Sequence, residues 1–135
     1  MFVLGAITDD LDTIRRTADF ATGLGIDTVQ FLILTPLPGT PLFNDIMGSG
    51  KLLHRDWSKY DVQHVVFRPQ LMSPITLQME TLMAMGRFYS WRYILGHLAR
   101  MNFHYAAIGF FGKTTVDITL RASTAYLDKL GFAAE

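Results

Sequence analysis

Residues able to do chemistry are few and scattered in this chain. The four histidines, His54, His64, His97 and His104, match no metal-binding spacing such as HxH or HxxxH. Asp61 precedes an apolar run and Glu80 lies in an apolar helical stretch. Neither has the second carboxylate that paired acid–base catalysis needs. Gly48-Ser49-Gly50-Lys51 looks like part of a phosphate loop, but Leu52 follows the lysine where the motif requires a hydroxyl. No catalytic residue and no metal ligand is assigned.

A shaped wall is more legible. Thr35-Pro36-Leu37-Pro38-Gly39-Thr40-Pro41-Leu42 follows the apolar run Val29–Leu34 directly. Proline fixes φ near −65° and pushes the preceding residue toward extended geometry, so this loop has a set shape. Loops at the C-terminal ends of parallel strands are where ligands sit in α/β folds, and a rigid connection without a ligand is the alternative. Gln30 is a polar handle on an otherwise apolar strand, and Gly5 would allow a ligand or a backbone to approach closely. His64, in phase with Val62 and Val66, reads either as a substrate contact or as a structural histidine satisfied by local hydrogen bonds.

The elements that would position these residues follow from periodicity. Phe2–Ile7 reads as a strand, and a helix starts within Thr8–Asp10. Leu11, Ile14, Ala18, Ala21 and Leu24 form its apolar stripe, and Gly25 stops it. Thr28–Thr35 is a second strand, completing a βαβ unit. A short helix spans 41–48 and an irregular stretch covers 51–60, after which Val62–Arg68 is a third strand. Ser73-Pro74 starts a helix running to about Met101, whose aromatics Phe88, Tyr89, Trp91 and Tyr93 read as packing. Residues 105–111 are a strand or a buried helical segment, with Gly109 and Gly112 arguing against a long regular helix. Asp117–Leu130 is an amphipathic helix. Two units result, 1–101 and a C-terminal helical extension over 102–135.

Composition narrows the function classes. The 135 residues are 50% hydrophobic and 18% charged, with a mean hydropathy of +0.22. Twelve basic residues balance twelve acidic ones, so nothing marks a nucleic-acid or anionic-membrane partner. The chain has no cysteine, which excludes disulfides, thiolate metal sites and cysteine-ligated clusters within it. No signal peptide is evident and no apolar stretch approaches the roughly 20 residues of a membrane span, so a cytoplasmic location is expected. Three strands leave sheet edges open, and the chain opens on a strand without lead-in. It therefore reads as a fragment with a self-associating apolar face.

Taken together, Phe2–Asp9, Gln30–Leu42 and Trp57–Met72, with the Phe88-Tyr89-Ser90-Trp91-Arg92 helix, resemble the C-terminal half of a radical S-adenosylmethionine enzyme barrel. The group most similar carries a cobalamin-binding domain and includes enzymes of hopanoid and porphyrin ring chemistry. The resemblance implies an α/β fold, a partial (β/α) barrel of parallel strands followed by a C-terminal helical segment. It implies that Val3, Leu4, Gly5, Gln30, Thr35, Pro36, Leu37 and Pro38 wall an S-adenosylmethionine site, and that His64 and Arg68 face substrate. Two departures weaken the adenine side: Met1 replaces the first glycine of the strand motif and Thr8 replaces its glutamate. The cysteine loop that holds the four-iron four-sulfur cluster has no counterpart here. The chain alone would bind no cofactor and be inactive, and the missing N-terminal half of the same protein would be its partner. Cobalamin use is left open. The competing reading is a stand-alone, cofactor-free α/β interaction module that self-associates through an exposed sheet face.

Overall fold

In the computed structural model, which describes residues 1–131, Phe2–Leu4 (β1) and Phe31–Ile33 (β2) pair in parallel. Phe2 lies opposite Phe31 and their rings stack at 5.5 Å, while Val3 lies opposite Leu32 and Leu4 opposite Ile33. Bonds of 2.8 Å from Phe2 N–H to the Gln30 carbonyl and from Leu34 N–H to the Leu4 carbonyl extend the ladder at both ends. The connecting helix α1 spans Leu11–Gly23. Asp10 caps it by accepting the Thr13 N–H, and Ile14, Ala18 and Ala21 are its buried stripe. Gly25, at a φ of +63°, takes the left-handed turn expected just past its end.

The partial (β/α) barrel expected from sequence does not form. Among the described residues the sheet has two strands, and five α-helices make up most of the chain. The physical reason lies in residues 61–68. Val62 adopts a φ of +59°, and one Asp61 carboxylate oxygen accepts the N–H groups of Gln63 and His64 at 3.0 Å each, so the chain turns where a strand was expected. Val65 then gives its N–H to the side-chain oxygen of Gln78 at 2.7 Å, which takes it out of any strand ladder. Farther on, Leu52 and Phe67 form an isolated antiparallel bridge. One bond ties the segment to β2, from Ile33 N–H to the Val62 carbonyl at 2.8 Å.

Three further helices depart from or refine the periodicity. Thr40 caps α2, Pro41–Gly48, and Ser73 caps α3, Pro74–Phe88, each with proline in the first turn. The single helix expected to reach Met101 is two helices, because Ser90 caps a new one, α4, Trp91–Ala99. Tyr89, at the break, is buried and its hydroxyl bonds both the N–H and the carbonyl of Val29 (3.1 and 2.9 Å), fastening the end of α3 to the approach of β2.

After a left-handed turn at Met101, α5 runs unbroken over Phe103–Lys129. At 1.5 Å per residue it is about 40 Å long. Gly109 and Gly112, expected to interrupt it, serve packing instead. A Cβ at Gly109 would lie 2.7 Å from the Tyr93 ring, and one at Gly112 would lie 2.8 Å from the Tyr89 ring. The helix expected over 117–130 is the second half of α5, and residues 132–135 of the expected extension lie outside the described residues.

The core joins Leu4, Ile14, Ile33, Val65, Val66 and Leu77 between the sheet, α1 and α3. Gln78 is fully buried within it, and its amide nitrogen donates to the Gln63 carbonyl (2.7 Å) and the Ser123 hydroxyl (3.3 Å). Among the described residues no helix is long and apolar enough to cross a membrane.

Candidate functional site

The C-terminal ends of β1 and β2 open onto a cleft of about 240 Å³. Its floor is Gly5 and Leu34 at the strand ends, and one wall is α2. Leu42, Asp45, Ile46 and Ser49 line it at the spacing i, i+3, i+4, i+7, so one face of this helix points into the cleft. Phe67 and Arg68 close the opposite side, with Lys51 at the end of α2. The Arg68 N–H donates to the Lys51 carbonyl at 2.8 Å, which holds the two cationic residues on neighbouring strands of backbone. The cleft thus combines an apolar floor with two cations and one carboxylate, a set suited to an amphipathic ligand that carries an anionic group.

The first strand loop is held by its own hydrogen bonds. The N–H groups of Gly5 and Ala6 both donate to one Asp9 carboxylate oxygen, at 2.9 and 3.0 Å. Gly5 needs its missing side chain twice over. Its φ is +102°, and a Cβ would lie 2.8 Å from Leu77. What approaches Gly5 closely is a Leu77 side-chain methyl from α3, where a ligand or a backbone was expected.

The proline loop is rigid as well. Thr40 donates its hydroxyl to the Leu37 carbonyl (2.7 Å) and accepts the Phe43 N–H (3.2 Å), while Thr35 donates to the Ile33 carbonyl (3.1 Å).

Of the residues assigned from sequence, the fold brings Gly5 and Arg68 together in the cleft. Leu4 and Pro36 are buried, Leu37 and Pro38 are exposed, Thr35 is half-buried, and none of these lines the cleft. Val3 is half exposed on the other face of the sheet from Leu4. Gln30 lies at the opposite, N-terminal end of β2, beside a second cavity between β2, α3 and α5. Asp45 and Gln70 drew no reading from sequence, and Ser49 and Lys51 drew only that of a rejected phosphate loop, although the helical spacing from Leu42 to Ser49 already placed one such face in the sequence.

His64 stands apart from the cleft, in a polar cluster that fastens the 51–65 segment to the end of α5. Its Nδ1 lies 2.9 Å from the Asp61 carboxylate and its ring meets Tyr126 edge-on at 4.8 Å. Tyr126 donates its hydroxyl to the Val65 carbonyl (2.8 Å) and sits 2.6 Å from His54 Nε2. Nδ1 of His54 accepts the Asp56 N–H at 3.2 Å, so a neutral ring carrying its proton on Nε2 satisfies every partner. Burial holds His54 below its ordinary pKa and pushes the Tyr126 phenol up. At Asp61 burial acts upward, but hydrogen bonds from His64 and Gln63 outweigh it and the carboxyl lies below its ordinary value.

The chain is similar to three curated methyltransferases. It is 29% identical over 94 residues to the bacteriochlorophyllide d C-8(2)-methyltransferase of Chlorobaculum tepidum, covering 70% of this chain and 21% of that protein. It is 36% identical over 69 residues to the C-12(1)-methyltransferase of the same organism, covering 51% and 15%. An uncharacterized methyltransferase of Pyrococcus horikoshii is 37% identical over 59 residues, covering 44% and 13%. The chain thus spans about a fifth or less of the length of these relatives. No family model matches, and no solved structure matches. These findings overturn the resemblance drawn from sequence: all three relatives are methyltransferases, two of them acting on bacteriochlorophyllide d, where hopanoid- and porphyrin-type oxidoreductases were expected, and the described fold has no barrel half.

Proposed function

We propose that this chain is a segment of a methyltransferase that uses S-adenosylmethionine, in which the cleft at the ends of β1 and β2 is one wall of the site for the methyl donor or its acceptor. The similarity to three methyltransferases carries this reading. The cleft supports it chemically. Leu34, Leu42, Ile46 and Phe67 offer an apolar surface to a ring, and Lys51 and Arg68 offer charge to a carboxylate such as that of the methionyl group. At about 240 Å³ the cleft is smaller than the roughly 300–1,000 Å³ of complete small-molecule sites, which fits a wall and not a whole pocket. The residues present do not fit an iron–sulfur cluster: the chain has no cysteine, and no group of three metal-ligating side chains occurs among the described residues. Any cysteine-ligated cluster the reaction uses would be held by residues outside this chain.

The test is methyl transfer by the longer polypeptide that carries this segment. Lys51→Ala and Arg68→Ala should each raise KM for donor or acceptor by roughly tenfold with kcat little changed, the loss expected for one charge-assisted hydrogen bond. Unchanged kinetics in the double variant would refute the assignment. Calorimetry on residues 1–135 alone should detect no S-adenosylmethionine binding, and tight binding there would refute the one-wall reading.

A second reading, self-association, rests on the apolar corner where α4 meets α5, at which Leu95, Leu98, Met101 and Phe103 are all exposed. Light scattering on the isolated chain should then give a dimer or larger species, and a clean monomer at tens of micromolar would count against it.

A further inference from the structure

The charges of the chain balance in total but not along its length. Nine of the twelve acidic residues lie at or before Glu80, and none occurs from Thr81 to Val116, where Arg87, Arg92, Arg100 and Lys113 all fall. Arg87 faces Glu80 at 3.8 Å. Arg92, Arg100 and Lys113, on the α4–α5 hairpin, take part in no ion pair among the described residues. The nearest acid on α5 is Asp117, and Arg121 follows it one turn later. The even overall count thus conceals a cationic corner.

The same hairpin carries an apolar face. Trp91, Leu95 and Leu98 recur on α4 at i, i+4, i+7, and Phe103 and Phe110 at i, i+7 on α5, each between 41% and 63% exposed. The helices run antiparallel, with His97 beside Tyr105 and Trp91 beside Lys113. Ile94 packs against Gly109 between them, so both exposed stripes emerge on one side of the pair. The Lys113 ammonium joins the stripes, 6.0 Å from the centre of the Trp91 ring. At the tip, Met101 has a φ of +58° and is 74% exposed. Glycine or asparagine ordinarily takes such a position, yet here a large apolar side chain is held out in water.

We propose that the α4–α5 hairpin docks on an anionic lipid surface, its apolar stripes entering the headgroup boundary and Arg92, Arg100 and Lys113 meeting the lipid phosphates. Charge favours this occupant over a second copy, because a two-fold contact would set the same cations against each other. A protein partner requires a matching shape and paired hydrogen bonds. A lipid surface requires only protruding apolar side chains with cations beside them, and tryptophan is an aromatic that membrane interfaces favour. Neither α4 nor α5 is long and apolar enough to cross a bilayer, so the hairpin lies along the surface. The docking is independent of the methyl-transfer reading.

The test is sedimentation of the 135-residue chain with vesicles of phosphatidylcholine, alone or with about one-third phosphatidylglycerol. Binding to the mixed vesicles should exceed that to phosphatidylcholine alone by about tenfold or more, since each cation near an anionic surface is worth roughly fivefold. It should also fall in high salt. Arg92→Ala with Lys113→Ala should weaken it about twentyfold. Leu95→Glu with Phe103→Glu should abolish it, both double variants keeping the circular dichroism spectrum of the parent. In Trp57→Phe, which leaves Trp91 as the one tryptophan, emission should shift to the blue on binding. No sedimentation with the mixed vesicles, equal binding to both kinds, or full binding in either folded double variant would overturn the proposal. A parent that ignores vesicles but forms a dimer dissolved by Leu95→Glu with Phe103→Glu would overturn it in favour of a second copy. Loss of binding in the longer polypeptide that carries this segment would overturn it in favour of the rest of that chain.

Discussion

The same substitution, glycine to alanine, should have opposite signs at two positions a short distance apart in the helical layer. Gly96 lies in the middle of α4, is exposed, and a Cβ there would meet nothing within 4 Å. Alanine should stabilise it by about 0.5–1 kcal/mol through helix propensity alone. Gly109 has the same propensity gain available on α5, but its Cβ would lie 2.7 Å from two carbons of the Tyr93 ring and 3.0 Å from Ile94. Ordinary carbon contacts begin near 3.5 Å, so the ring would have to retreat by most of an ångström.

Tyr93 is poorly placed to retreat. Its hydroxyl donates to the Asp27 carbonyl, and its ring packs against Phe88 at 5.3 Å, Tyr89 at 5.5 Å and His97 at 4.5 Å. Overpacking of this kind costs about 1–3 kcal/mol, which outweighs the propensity gain and leaves a net loss of about 1–2 kcal/mol. An unfolding entropy of about 2.1 cal/mol/K per residue makes 1 kcal/mol worth roughly 3–4 °C in a chain of this length. Gly109→Ala should therefore lower Tm by about 3–7 °C and Gly96→Ala should raise it by about 2–4 °C, read by far-ultraviolet circular dichroism. If Gly109→Ala is as stable as the parent or more so, the argument that this glycine exists for the Tyr93 ring is wrong.

Three other outcomes are expected. Gln78→Leu leaves the Val65 N–H and the Gln63 carbonyl without their buried partner and should cost about 2–4 kcal/mol in urea unfolding, whereas a loss below 1 kcal/mol would mean that water reaches both groups. Tyr89→Phe strips the two bonds to Val29 and should cost about 1–3 kcal/mol with the ring packing intact, measured the same way. His54, whose pKa is lowered from 6.5 chiefly by burial, favours the folded state only while neutral. Its contribution is full above about pH 6.5 and is lost as the pH falls through the lowered folded value. Stability should thus fall between pH 7 and 5 more steeply in the parent than in His54→Gln, and parallel curves would refute the linkage. The lowered carboxyls of Asp56 and Asp61, ordinarily at 3.8, act only at still lower pH.

Signals confined to a few residues were legible without a fold. Asp10, Thr40 and Ser73 cap the helices they were expected to start or precede, and Pro41 and Pro74 sit in the first turns, because a cap or a fixed φ depends on neighbours within one turn. The α1 stripe was legible for the same reason at Ile14, Ala18 and Ala21, though Leu24 is exposed, and the two parallel strands were legible as apolar runs but not in their short extent, register or buried faces. Residues 62–68 were not, since a strand exists only where a ladder receives it, and here a side chain 13 positions away takes the Val65 N–H. The unbroken α5 was equally hidden, because whether Gly109 and Gly112 end a helix or admit a neighbour depends on where Tyr93 and Tyr89 lie. The site divides along the same line. Gly5 could be singled out from its type, but its meeting with Arg68 and Lys51, and the placing of Gln30 at the far end of β2, are set by packing between segments distant in the chain, which periodicity does not encode.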